Sequence, residues 1–222
     1  MWELARFIFV ATGSTKELEE RAAQMTPEVR DSDWGTLALR ELALIKGDFL
    51  EWKRLDARQT SRNSGGLPAI EAMVDAALVF AAHGDMTGAR TRLGNERVSV
   101  RAAVEREPAN ERLRTALARM DALLGEKAAA VPELGPAAEG KSETPDGQQR
   151  WQRSYNLAVI HALRGDKAMS VAALAELLRL PNRSVDGFSV HTLRVDPAFA
   201  NLRGDPAFEK LLKDPKNNAP LF

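Results

Sequence analysis

A glycine followed by an acidic residue recurs four times along this chain, at nearly equal intervals. The four glycines lie 37, 41 and 40 residues apart. A period in this range, with helical patterning between the turns, is typical of helix-turn-helix repeats. The recurring pairs are Gly47-Asp48, Gly84-Asp85, Gly125-Glu126 and Gly165-Asp166.

The chemistry of the pair explains why it would join two antiparallel helices. Glycine adopts the left-handed conformation that ends the first helix, and the acid faces the exposed amides and the positive dipole end of the second. We therefore interpret the acids as helix caps rather than as metal ligands or acid-base groups. Apolar periodicity predicts helices over 33–46, 68–83, 110–124 and 151–164. In the first of these, the predicted apolar side carries Trp34, Leu37, Leu42 and Ile45.

The repeats resemble those of the tetratricopeptide family. Its plan is followed from Glu107-Pro108-Ala109-Asn110 through Gly125-Glu126 to Ala130 and Leu134, and again across 68–93 and 151–181. The first repeat departs from this plan, because Arg40 and Trp52 stand where small residues are usual. The resemblance implies an all-α fold, a right-handed α-solenoid of about four helix pairs.

Two Asp-Pro pairs near the C-terminus, Asp196-Pro197 and Asp205-Pro206, predict two short helices with Asp as N-cap and Pro in the first turn. Phe199, Leu202, Phe208 and Leu211 would then close the open end of the last repeat, as solenoids require. This end resembles the closing segment of tetratricopeptide regions in bacterial serine/threonine kinases and winged-helix regulators, although no kinase motif is present. We predict an N-terminal helical segment (1–32), the repeats (33–188) and a capping segment (189–222).

Composition excludes several classes of function. Thirty-one basic residues balance thirty-one acidic ones, whereas nucleic-acid binding favours a basic excess, so we expect no nucleic-acid partner. The absence of cysteine removes disulfides and thiolate chemistry. The longest apolar run near the start, Phe7 to Ala11, is far shorter than the roughly 20 residues of a membrane span. We expect no membrane insertion and a cytoplasmic location, with the periplasm as the alternative.

One motif favours a different function. Residues 135–142 match the G-x-x-x-x-G-K-[ST] phosphate loop, in which backbone amides cradle phosphates and Lys meets the outer ones. That loop requires a preceding strand and a following helix, whereas helix-forming residues precede this match and Pro145 follows it. We interpret it as a chance match, and a small-molecule or nucleotide-binding module remains the alternative function.

The candidate partner-binding residues are Trp34, Trp151, Arg153, Tyr155 and Asn156. In solenoids the first helices line the concave surface that binds peptides or partner helices. Asn156 stands where related repeats place an asparagine that bonds a bound peptide backbone, and the matching positions are Ala38, Asp75 and Ala116. Packing between helices is the alternative role for Trp34 and Trp151. We therefore expect a non-catalytic protein–protein interaction module without a cofactor, in bacterial signalling or regulation, that binds a protein or peptide, with self-association as a further alternative.

Overall fold

The four recurring glycines all adopt the left-handed conformation, with φ between 70° and 94°. Each ends a helix in the same way. The glycine N–H donates to the carbonyl three residues back and the next N–H donates to the carbonyl five residues back, as Gly125 does to Ala122 (3.3 Å) and Glu126 to Asp121 (2.8 Å). This is the Schellman motif, and the prediction that these glycines end helices is confirmed.

The computed structural model describes residues 2–60, 66–94, 96–134, 147–179 and 188–218, and all its regular elements there are helices. The predicted all-α class is confirmed. In chain order the helices are α1 (Trp2–Thr12), α2 (Lys16–Ala23), α3 (Pro27–Asp31), α4 (Asp33–Lys46), α5 (Phe49–Thr60), α6 (Leu67–Ala82), α7 (Met86–Leu93), α8 (Glu96–Arg106), α9 (Glu111–Leu124), α10 (Lys127–Leu134), α11 (Gly147–Arg164), α12 (Lys167–Leu177), α13 (Val190–Val195), a 3₁₀ helix (Pro197–Leu202) and α14 (Pro206–Lys213). The glycine turns join α4 to α5, α6 to α7, α9 to α10 and α11 to α12 as packed hairpins.

The acids after the glycines divide into two kinds. Asp48 and Asp85 cap the second helix, because each carboxylate accepts the amide three residues on, at 3.0 and 2.7 Å. Asp166 makes no side-chain cap bond. Its carboxylate lies 3.2 Å from Nε of Arg164 and 3.5 Å from Nδ1 of His161. The capping prediction is therefore confirmed for Asp48 and Asp85. It is wrong for Asp166, because its carboxylate lies beside the basic side chains at the end of α11 instead.

The chain folds as two compact units, of which the first comprises Met1–Ser64, Arg183–Asp196 and Leu212–Phe222. Its core is an apolar cluster from α1, α2 and α4, which consists of Trp2, Ala5, Phe9, Val10, Leu18, Ala22, Ala38 and Leu42. Leu42 is buried as predicted, but Trp34 and Leu37 are 50% and 47% exposed. The predicted apolar side of α4 is therefore wrong for these two, because the helix turns Ala38 and Leu42 toward the cluster instead.

The unusual residues of the first hairpin pack against each other. The guanidinium of Arg40 lies 5.9 Å from the ring centre of Trp52, within the range of a cation–π contact. The same group bonds the buried carboxylate of Asp56 at 2.9 Å. One arginine therefore links α4 to α5 through two contacts.

The second unit comprises Gly65–Asn182 and Pro197–Leu211. Within it α9 packs against both α6 and α11, so that the first helices of three hairpins lie in series. Alanines of these helices are fully buried, among them Ala77, Ala118 and Ala158. The 3₁₀ helix packs against α6 as well as α11, and Phe199 and Leu202 are fully buried. Asp205 caps α14 as predicted and accepts the amide of Phe208 at 3.2 Å.

Helix α8 stands outside the four hairpins and is fastened by a buried carboxylate. Asp121 of α9 has no exposed surface and accepts from Arg97 (2.5 Å) and Arg101 (3.0 Å) of α8. The hydrogen bond that Arg97 donates to this carboxylate raises the pKa of Arg97. Charge-assisted bonds of this kind contribute about 1.5–3 kcal/mol each.

We expect Gly125→Ala to lower the free energy of unfolding by about 1 kcal/mol, since a left-handed alanine costs about 1–2 kcal/mol and a stiffer unfolded chain returns part of it. A Cβ here would meet no atom within 4 Å, so the cost is one of backbone conformation alone. Gly125→Asn is the matched control, because asparagine adopts this conformation more readily. Urea denaturation measures both, and an equal loss for the two variants would contradict this explanation.

His191 should make the stability of the protein depend on pH. Burial and, after it, the charge of Arg194 lower the pKa of His191, and Gly13 approaches so closely that a Cβ there would lie 2.5 Å from Nδ1. A lowered folded-state pKa means that the unfolded chain takes up the proton first. Stability is therefore complete above the ordinary value of about 6.5 and is lost as the pH falls below it. We expect His191→Gln to lose less stability than the wild type between about pH 7 and pH 5, as thermal melts would measure. If the stability of the wild type and of His191→Gln changed with pH in the same way, His191 would not be the source of the pH dependence.

Candidate functional site

Equivalent positions of the first helices in the second unit lie on one surface. Thirteen residues before the turn glycine stand Glu71, Arg112 and Gln152, and nine residues before it stand Asp75, Ala116 and Asn156. All six line the same groove. Residues at these two positions are four apart and therefore lie on one face of a helix.

The groove has a volume of about 600 Å³ and runs across α6, α9 and α11. Its walls are apolar where Val74, Ala116 and Leu134 are buried, and charged or amide side chains surround them. The full lining consists of Glu71, Val74, Asp75, Glu111, Arg112, Thr115, Ala116, Arg119, Leu134, Gln152, Arg153, Asn156 and Leu157.

Three arginine–carboxylate pairs join neighbouring helices across the groove. Arg112 bonds both oxygens of Glu71, at 2.9 and 2.5 Å, and Arg119 bonds Asp75 at 3.1 Å, so that α9 is tied twice to α6. Arg153 of α11 bonds both oxygens of Glu111 on α9. Two-pronged pairs of this kind fix geometry as well as contributing energy. In each pair the arginine comes from the later helix and the acid from the earlier one.

The two signs of charge are not equally accessible in this groove. The side chains of Arg119 and Arg153 are only 14% and 16% exposed, whereas those of their partners Asp75 and Glu111 are 61% and 51% exposed. In the third pair the order is reversed, because Arg112 is 63% and Glu71 33% exposed. Nε and one terminal nitrogen of Arg112 bond Glu71, and that bond raises the pKa of Arg112. A ligand entering the groove therefore meets the carboxylates of Asp75 and Glu111 more readily than their paired arginines, and meets Arg112 already bonded to Glu71.

Two of the predicted partner-binding residues, Arg153 and Asn156, line the groove. Arg153 is engaged by Glu111, as described above. The side-chain oxygen of Asn156 accepts only a long bond of 3.3 Å from Gln152 among the described contacts. The amide of Asn156 is therefore available to a bound chain.

The predicted aromatic residues lie elsewhere. Trp151 is buried and its ring stacks on Tyr155 at 5.3 Å, while Tyr155 meets Phe199 of the 3₁₀ helix edge-on at 5.9 Å. Trp34 belongs to the first unit and meets the Trp2 ring edge-on at 6.3 Å. None of the three lines the groove, and Trp151 and Tyr155 pack between elements of the second unit.

Most of the groove's charged residues escaped the sequence analysis. Glu71, Glu111, Arg112 and Arg119 belong to ordinary polar faces of helices, which in most proteins face solvent. A signal was nevertheless present. Counting back from each turn glycine places Glu71 and Arg112 at the same position on neighbouring helices, with opposite charges. Only a comparison between repeats, rather than along one helix, brings that pairing out.

Other chemistry is restricted among the residues that the structure describes. No group of three or more His, Asp or Glu side chains in those ranges is placed to hold a metal ion. None of the helices there combines the length and the apolar character needed to cross a bilayer. The phosphate-loop match at 135–142 lies outside the described residues.

Comparison of the chain with family models, with curated proteins and with solved structures finds no match.

We expect the side chain of Arg119 to contribute little to the free energy of unfolding. Its Nε is buried without a hydrogen-bond partner among the described residues, which costs about 1–3 kcal/mol. Its partner Asp75 is exposed enough to rehydrate if the arginine is removed. We expect Arg119→Met to change the free energy of unfolding by less than about 1 kcal/mol, or to raise it.

Asp121→Ala is the matched contrast, since it removes a fully buried carboxylate and its two arginine bonds. We expect it to cost about 3 kcal/mol in the same denaturation experiment. A loss of more than about 2 kcal/mol in the free energy of unfolding for Arg119→Met would instead show that the Arg119–Asp75 pair stabilises the fold.

Proposed function

We propose that this chain is a non-catalytic protein-binding module, and that the groove across α6, α9 and α11 receives a segment of a partner protein. The four hairpins are tetratricopeptide-like repeats of a right-handed α-solenoid, closed by the C-terminal helices. As in the bacterial regulators that the sequence resembles, the module serves a signalling or regulatory assembly.

One observation carries this proposal. Three successive first helices present equivalent positions to a single groove of about 600 Å³, as expected for a repeat array that binds along its first helices. The lining combines apolar walls with a few polar groups that can fix an orientation, which is the usual character of a binding site.

The ionisable groups of the groove support binding rather than chemistry. Its three arginines are paired with its three carboxylates. A catalytic acid or base needs an accessible group whose pKa is tuned to its task. His83 and His161 do not line the groove, and His191 belongs to the first unit.

We expect Asn156→Trp to abolish partner binding without unfolding the protein. Asn156 is partly exposed and lines the groove, so an indole there fills the space a ligand would use. The control is Ala172→Trp, which adds the same ring at an exposed position of α12 outside the groove. Tyr155 is left unchanged, because it stacks on Trp151.

The measurement is affinity capture from a lysate of the source cells, followed by mass spectrometry, with circular dichroism to check that both variants fold. A protein captured by the wild type and by Ala172→Trp, but lost with Asn156→Trp, supports the groove as the binding surface. Capture that Asn156→Trp leaves unchanged would refute it.

A further inference from the structure

The first unit shows what covers the equivalent face of a first helix in this same chain. On α4 the positions thirteen, nine and six residues before the glycine are Trp34, Ala38 and Glu41. Side chains of α1 lie on all three. Trp2 meets Trp34 edge-on and donates to Glu41 at 3.1 Å, and Ala38 is buried in the cluster that α1 supplies.

The contact between α1 and α4 has two chemical components. One is apolar, because the stripe of Trp2, Ala5 and Phe9 on α1 shares one buried cluster with Ala38 and Leu42 of α4. The other is a basic side chain beside that stripe, since Nε of Arg6 lies 2.9 Å from the Glu41 carboxylate. The N-terminal part of an amphipathic helix, with an arginine at its edge, thus contacts the face that the glycine turn defines, while the helix itself packs against α2 and α13.

In the second unit the positions thirteen and nine residues before the glycine line the groove on all three of α6, α9 and α11. Its apolar walls suit a stripe of this kind. The carboxylates of Asp75 and Glu111 are more exposed than Arg119 and Arg153, with which they pair, and the exposed Arg112 is bonded to Glu71 through two of its nitrogens. Opposite charges on the partner complement such a surface and set specificity.

We propose that the groove binds an amphipathic helix whose apolar stripe is flanked by lysine or arginine, as Trp2 and Arg6 of α1 together contact α4. This inference rests on the proposed function and names its ligand. Helix-in-groove docking buries the apolar face of the ligand, and the basic side chains bond Asp75 and Glu111 at the rim.

The test uses three fluorescein-labelled peptides of 18 residues with capped ends. The first is helical, with an Ala/Leu/Phe stripe flanked by lysines. In the second, every lysine is glutamate. The third has the composition of the first, in scrambled order and with two prolines that prevent a helix. Fluorescence anisotropy measures their binding to the full chain, and circular dichroism follows the helicity of the peptides.

We expect the basic helix to bind, to gain helicity, and to be displaced neither by the acidic helix nor by the proline peptide. The double variant Asp75→Asn, Glu111→Gln should weaken it about tenfold, which is the effect of losing two partly exposed charge pairs. Asn156→Trp should abolish binding and Ala172→Trp should leave it unchanged.

Equal or tighter binding of the acidic helix would overturn the charge assignment, and equal binding of the proline peptide would overturn the helical one. If Asn156→Trp blocks either of those peptides, the proposed function stands and only this inference fails. Failure of all three peptides to bind overturns the inference. The affinity capture with the same variants then decides the proposed function separately.

Discussion

The left-handed glycine that ends each first helix is the constraint on which the remaining structure depends. Its Schellman turn satisfies two helix-end carbonyls and sends the chain back antiparallel within two residues, as at Gly47-Asp48. Any other residue type would pay for this conformation. Because the turn is the same four times, every position of a first helix has a fixed direction relative to it. Groove positions can therefore be found by counting back from the glycine.

Charge pairs between first helices decide the character of the groove. The alternation of Glu71 with Arg112 and of Glu111 with Arg153 ties α6, α9 and α11 together while leaving the surface polar. Exposed pairs of this kind add little stability, and the orphaned Nε of Arg119 reduces it. The helices are held together mainly by their buried apolar faces, such as Ala118, Ala122 and Ile160. The charges are thus better explained by the binding that we propose for the groove than by what the fold requires.

The same helical position has different surroundings in the two units. Both alanines nine residues before a glycine are buried, but Ala38 lies in the cluster that includes α1, whereas Ala116 lies in the wall of the groove. The difference arises from what else the chain supplies. In the first unit the amphipathic helix α1 precedes α4 and contacts it. In the second unit α8 precedes α9 but binds the buried carboxylate of Asp121 on α9 through its arginines. A covered face and an open one in a single chain suggest the kind of ligand the open one receives.

Much of the helical plan could be predicted from local sequence. The glycine turns, the helix bounds near 33–46 and 110–124, and the cap at Asp205 follow from backbone conformation and apolar periodicity, which act within a few residues. Tertiary structure alone decided which polar faces meet. Arg112 reaches Glu71 and Arg153 reaches Glu111 across about forty residues of sequence, and Trp34 remained exposed while Trp151 became buried. Local propensity cannot decide such matters, because the partner of a side chain on a helix surface depends on how neighbouring helices pack, and that depends on contacts distant in sequence.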